Sequence, residues 1–179
     1  MKRIFIGSFI NSKSLSKKYP FIKKEFGGFL KGKWTPLENL HITYKFIGNS
    51  TDNQIILIKE SLKTILNKEE PVHLIFKGFG VFPNFRNPKV FFLKVENEDG
   101  KLEEYNHYIQ EKLSYLGYEK ENKPFIPHIT LKRPKYVDME KFLPKLKKYE
   151  ETIFGEQFSI EINVIQSILS PKRAKYIKI

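Results

Sequence analysis

Residues 125–135 read FIPHITLKRPK, and residues 39–46 read NLHITYKF. Both phrases contain His-Ile-Thr, as His41-Ile42-Thr43 and as His128-Ile129-Thr130. The chain has only four histidines. With six threonines in 179 residues, a Thr two places after a given His is a roughly 3% event. Two such matches among four histidines do not read as coincidence. Both phrases alternate and are rich in β-branched and aromatic residues, so each is a strand. On a strand, alternate side chains share a face. Simple alternation therefore puts His41, Thr43 and Lys45 on one face, with Ile42, Tyr44 and Phe46 behind. It puts His128, Thr130 and Lys132 on one face of the second strand, with Ile129 and Leu131 behind.

Working outward, residues 3–10 (RIFIGSFI) read as a buried strand. Residues 12–29 hold a helix expected to start or break at Pro20. Thr51 is an N-cap for an amphipathic helix over 52–67, carried by Ile55, Ile58, Leu62, Ile65 and Leu66. Residues 72–82 form a strand or strand pair with glycine bends, and 89–96 form another strand. Leu102, Tyr105, Ile109 and Leu113 mark a second amphipathic helix within 98–116, stopped at Gly117. A strand is expected over 125–132, a short helix from Asp138 to about Tyr149, one long strand over 158–169 and a last strand at the end. Each His-Ile-Thr strand is followed by a helix and further strands, which suggests an internal duplication. No linker is long enough to split residues 1–179, so one domain is expected.

Composition narrows the chemistry. The hydrophobic fraction is 40%, so the chain is globular. With no cysteine, disulfides, thiolate zinc sites and a cysteine nucleophile are excluded. A net charge of +12 favours a polyanionic partner, nucleic acid among them. No stretch approaches the ~18 apolar residues of a membrane span. The short apolar run after Met1 has no small-residue cleavage site behind it. A cytoplasmic protein and, by default, a monomer are expected.

Two imidazoles facing one groove suit acid–base work near neutral pH. One neutral His can take a proton from water while a protonated one gives a proton to a leaving oxygen. The two threonine hydroxyls can hold phosphate oxygens, and a nearby cation can offset charge. This fits cleavage of a phosphodiester without metal. The bland alternative is that each His is a strand residue satisfied by a local bond. A zinc site is the other rival, but neither phrase contains Asp, Glu or Cys. His73 reads as a strand or edge residue. His107 reads as part of a solvated helix face between Glu103 and Glu111. Gly78-Phe79-Gly80 lacks the third glycine and the helix of a dinucleotide fingerprint.

With both phrases in view, the chain resembles the 2H phosphoesterase superfamily, and within it the RNA 2′,3′-cyclic phosphodiesterases, also called 2′-5′ RNA ligases. The resemblance runs through RIFIGSFI, PLENLHITYKFIG, FKGFGVFPNFRNPKVFFLKV, PFIPHITLKRP and the closing ILSPKRAKYIKI. It implies a bilobal α+β fold, with two antiparallel sheets facing across a central cleft, helices outside and pseudo-two-fold related lobes. It implies hydrolysis of RNA 2′,3′-cyclic phosphate ends to a 2′-phosphate, with neither metal nor nucleotide cofactor. His41 would be the proton donor to the 3′ oxygen and His128 the proton acceptor from water. Thr43, Thr130 and Arg133 would bind the phosphate. Alternation puts Arg133 behind the strand. The expectation is that the strand ends before Pro134 and the side chain wraps to the front, the alternative being a surface residue. Lys172 and Arg173 stand where relatives often carry glycine, which bears on the conformation of that turn. Two other activities stay open: 2′-5′ ligation of tRNA halves, and a non-catalytic RNA-end binding module using aromatics such as Phe9, Trp34 and Phe85.

Overall fold

The structure is a computed structural model and describes residues 1–171 and 174–179. Two four-stranded antiparallel sheets carry the fold. The first has the order β10-β9-β1-β3, from Ala174–Lys178, Asn163–Leu169, Lys2–Phe9 and His41–Ser50. The second has the order β6-β5-β4-β8, from His128–Lys132, Val90–Glu96, Glu69–Phe82 and Ile153–Glu161. Each His-Ile-Thr phrase thus begins a strand at the end of its sheet. These two end strands, β3 and β6, lie against each other. A small ribbon pairs β2 (Leu30–Lys31) with β7 (Tyr136–Val137).

The helices cross over. Helix α1 (Lys13–Gly27) follows β1 of the first sheet yet packs on β8 of the second. Its Leu15 nitrogen lies 2.8 Å from where a Cβ on Gly155 would stand, so this close approach requires glycine. Helix α3 (Lys101–Ser114) follows β5 of the second sheet yet backs β3 of the first, where Asn106 Nδ2 donates to Tyr44 O at 2.7 Å. Helix α2 (Asp52–Ser61) packs beside α3, and α4 (Met139–Lys148) beside α1. Each sheet is therefore covered by helices from both halves of the chain, and the lobes are interleaved around one contiguous apolar core.

Four expected elements take a different form. Helix α1 runs straight through Pro20. Pro20 and Ser16, whose carbonyl would have received the missing N–H, both face solvent, while Leu15, Tyr19, Ile22 and Phe26 hold the buried stripe. Helix α2 has the expected cap, with Thr51 and Gln54 forming a capping box, but it ends at Ser61. Leu62 and Leu66 stay buried in the turns that follow, up to Asn67 with φ of 56°. Strand β6 starts at His128, because Pro127 has no N–H for the ladder. The alternating run 158–169 is divided at Ile162, so β8 pairs with β4 and β9 pairs with β1. Periodicity does not register a strand that changes sheets.

Phe26 anchors the core beneath the second sheet. Its ring meets Phe29, Phe79, Phe91, Phe142 and Tyr149. Phe26→Ala is expected to lower the unfolding free energy by about 3–5 kcal/mol. Urea unfolding monitored by circular dichroism checks this, and a loss below about 1 kcal/mol would show that the cluster repacks freely.

Candidate active site

The two histidines are held in the same way. His41 Nδ1 bonds Asn39 O at 2.6 Å, and His128 Nδ1 bonds Ile126 O at 2.7 Å. A carbonyl only accepts, so Nδ1 carries the hydrogen in both rings. In the neutral tautomer each Nε2 is then left with its lone pair. Both rings are gripped by aromatics. Phe5 and Tyr176 pack on His41 with centroids at 4.8 and 4.9 Å. Phe82 and Phe92 pack on His128 at 5.0 and 5.1 Å. Neither the carbonyl clamps nor these rings were singled out from the sequence. The one signal was that the strands beside the two phrases carry aromatic residues.

Glycines make the grips possible. A Cβ on Gly80 would stand 2.4 Å from the Phe92 ring, and one on Gly7 would stand 3.0 Å from the Phe5 ring. Each ring lies over a position that has no side chain.

The protonation behaviour follows from burial. Desolvation is the largest cause and lowers the pKa of both His41 and His128. The backbone carbonyls act in the opposite direction, and the Arg133 charge lowers both further. On His41 the charge of His128 adds to the lowering, which places the two rings within electrostatic reach of each other. The sign for stability is definite. The unfolded rings bind protons near pH ~6.5, while the folded rings bind them only at lower pH. Stability is therefore complete above about 6.5 and falls as the solution is acidified toward the lowered folded values. The urea midpoint is expected to be lower at pH 5.5 than at 7.5. A His41→Gln, His128→Gln double variant should flatten most of that difference, and an unchanged slope in the variant would count against this assignment.

The threonines are half-buried on the same strands, two residues beyond each histidine. The lysines are not where alternation puts them. Between β1 and β3 the ladder pairs Gly7 with Thr43 and then Ile6 with Lys45, so Tyr44 is an extra residue. Between β5 and β6 it pairs Phe92 with Thr130 and then Phe91 with Lys132, so Leu131 is extra. Each bulge moves the side chains just beyond it to the other face. Lys45 is 4% exposed and donates to Gln110 Oε1 of α3 and to Glu119 O. Lys132 is 3% exposed, with its ammonium 4.4 Å from the Trp34 ring. Burial lowers both lysine pKa values. The expectation that Lys45 and Lys132 share the front face is overturned. The same bulge brings Arg133 round to the front, exposed at the strand's end, where its charge bears on both imidazoles.

Of the remaining candidates, Phe9 alone stands beside this cluster. His73 stacks on Phe158 at 4.9 Å, and His107 lies on the exposed side of α3. Trp34 packs on Tyr19 and Phe91, Phe85 is 52% exposed, and Phe9 is the cross-strand partner of His41. Gly78 sits at a bulge of β4. Lys172 and Arg173 lie outside the described residues. Among the described residues no helix is long and apolar enough to cross a membrane.

Two interleaved lobes, each offering a His-x-Thr end strand to a shared site, define a two-histidine phosphoesterase architecture. The chain belongs to the LigT-like phosphoesterase family: the family described as LigT like Phosphoesterase matches residues 22–92 and again 93–177, one match around each motif. It is 34% identical over 169 residues to the RNA 2′,3′-cyclic phosphodiesterase of Aquifex aeolicus, covering 94% of this chain and 89% of that one. It is 36% identical over 165 residues to the protein of that name from Methanocaldococcus jannaschii, covering 87% and 90%. Among solved structures, TT0787 of Thermus thermophilus aligns with a TM-score of 0.79 at 24% identity, covering 99% and 94% of the two chains. The E. coli LigT complex with 3′-AMP aligns with a TM-score of 0.77 at 18% identity, covering 99% and 95%.

Proposed function

We propose that the chain, working as one domain over residues 1–179, hydrolyses 2′,3′-cyclic phosphates at RNA ends to 2′-phosphates. The observation that carries this is the pairing of two imidazoles, each clamped through Nδ1 and flanked by Thr43 or Thr130, with the charge of Arg133 bearing on both. The names of the relatives point the same way.

In the proposed reaction, His128 Nε2 takes a proton from water as the water oxygen bonds to phosphorus. The bond from phosphorus to O3′ breaks, and His41 Nε2 gives its proton to O3′. Product leaves with the phosphate on O2′, and solvent exchange resets both rings. Thr43 and Thr130 donate hydrogen bonds to non-bridging oxygens, and Arg133 balances their charge. His41 must arrive protonated although burial opposes this. The bound phosphodiester anion supplies the opposite charge that raises its pKa. tRNA halves are a candidate substrate within this reading, and a basic surface of net charge +12 suits RNA.

The test is incubation of an RNA oligomer ending in 2′,3′-cyclic phosphate with the purified protein in EDTA, followed by identification of the product's phosphate position. A 2′-phosphate is expected. A 3′-phosphate would reverse the roles of the two ribose oxygens, and an unopened ring would end the proposal.

A further inference from the structure

Simple alternation puts Phe46 behind His41 and Thr43, in the core. The bulge at Tyr44 reverses this. It turns Lys45 to the back, where Gln110 of α3 receives its ammonium, and so turns Phe46 to the front. The ladder agrees: Phe46 pairs directly with Phe5, and residues directly opposite each other on antiparallel strands share a face. Phe5 packs on the His41 ring, so the shared face is that of the proposed acid–base pair. On that face Phe46 is 49% exposed.

The other lobe gives this position its meaning. Phe46 stands five residues after His41 and three after Thr43, as Arg133 stands after His128 and Thr130. Each follows the extra residue of its bulge and a lysine turned to the back. The two lobes thus offer different groups at one equivalent place. Arg133 suits phosphate, and its charge bears on both imidazoles. Phe46 cannot bind phosphate oxygens; it offers a flat apolar surface, which suits the base of the same nucleotide. Arg3, exposed on β1, adds a planar cation, its guanidinium carbon 4.8 Å from the centroid of the Phe46 ring. Aromatic rings with arginine beside them are the groups that stack bases in single-stranded nucleic acid. Thr43 and Phe46 are three strand residues apart, at most about 10 Å, within reach of a nucleotide that spans from its phosphate to its base.

We propose that Phe46 and Arg3 form the platform on which the base of the terminal nucleotide stacks while its cyclic phosphate lies at His41 and His128. The inference rests on the cyclic phosphodiesterase reading of the histidine site. Stacking asks only for a flat π-face, which all four bases have, so the platform holds a base without choosing among them. The division of labour follows the two lobes: the second holds phosphate through Arg133, and the first holds the base through Phe46.

The experiment is a cycle with one change in the protein and one in the RNA. Oligomers ending in 2′,3′-cyclic phosphate are compared with the terminal base present and with that base replaced by hydrogen. With the base present, Phe46→Ala should raise KM at least about fivefold, the loss of one base stack, while kcat changes far less. Phe46→Leu restores apolar bulk without a ring and should show the same rise; Phe46→Trp restores a ring and should not. On the end without a base, wild type and Phe46→Ala should have KM values within about twofold of each other, because the stack measured by the cycle is gone. An unchanged KM in Phe46→Ala, a Leu variant equal to wild type, or an equal penalty on both ends overturns the proposal and leaves the activity standing. So does a penalty that vanishes only when the base is removed from the penultimate nucleotide, since the platform would then serve that neighbour. Failure of wild type to open the oligomer that carries its base overturns the activity itself.

Discussion

His128→Ala is expected to lower kcat for opening an RNA 2′,3′-cyclic phosphate by about 10²- to 10⁴-fold, and His41→Ala by a similar factor, the range for loss of a positioned proton-transfer group. The clamps at Asn39 O and Ile126 O point one nitrogen of each ring away from the chemistry, so each ring has a single working nitrogen. The two changes together should cost little more than either alone, since residues acting as a unit are not additive. Leaving-group chemistry separates the roles. A diester whose leaving group departs as a stable anion needs no general acid. On such a substrate His41→Ala should recover most of its lost rate and His128→Ala should not. The opposite pattern would exchange the acid and base labels, and wild-type rates in both single variants would remove the mechanism altogether.

The legible part of this molecule was what repeats. His-Ile-Thr written twice announced two equivalent strands, and Ile42, Tyr44, Ile129 and Leu131 announced the face that packs, whereas Phe46, also expected behind, lies beyond the bulge and is exposed. The Thr51 cap and the Gly117 stop were equally local, each set by one residue's hydrogen bond or dihedral. What could not be read was set by partners distant in the chain. Ile162 ends one strand and begins another because β4 and β1 lie in different sheets, and nothing in the alternation of 158–169 changes there. Pro20 sits inside a helix because its own side of α1 faces water. The aromatic grips on the histidines come from four strands, so no single window of sequence contains them. The crossing of α1 and α3 to the opposite sheets likewise leaves no local trace.

Arg133→Ala is expected to lower kcat/KM by about 10²- to 10³-fold, comparable to removing one donor from an oxyanion site. Arg133→Lys should fall between, since an ammonium keeps the charge but loses the planar fork that grips two oxygens. Removing the charge also removes one cause that lowers both histidine pKa values, so the acid limb of the pH–rate profile should move up in Arg133→Ala. The neighbouring lysine supplies the control. Were β6 a regular strand, Lys132 would share the face of His128 and Thr130, and Arg133 would lie behind them. With Leu131 as the extra residue, Lys132 lies behind, against Trp34, and Arg133 comes forward. Lys132→Met should therefore change the urea midpoint and leave kcat/KM within about threefold, a volume-conserving swap away from the reacting groups. If instead Lys132→Met abolishes turnover and Arg133→Ala is neutral, the bulge does not exist in solution. The phosphate would then be held by the lysines that simple alternation selects, and Lys45, behind the matching bulge of β3, would have to come forward with Lys132.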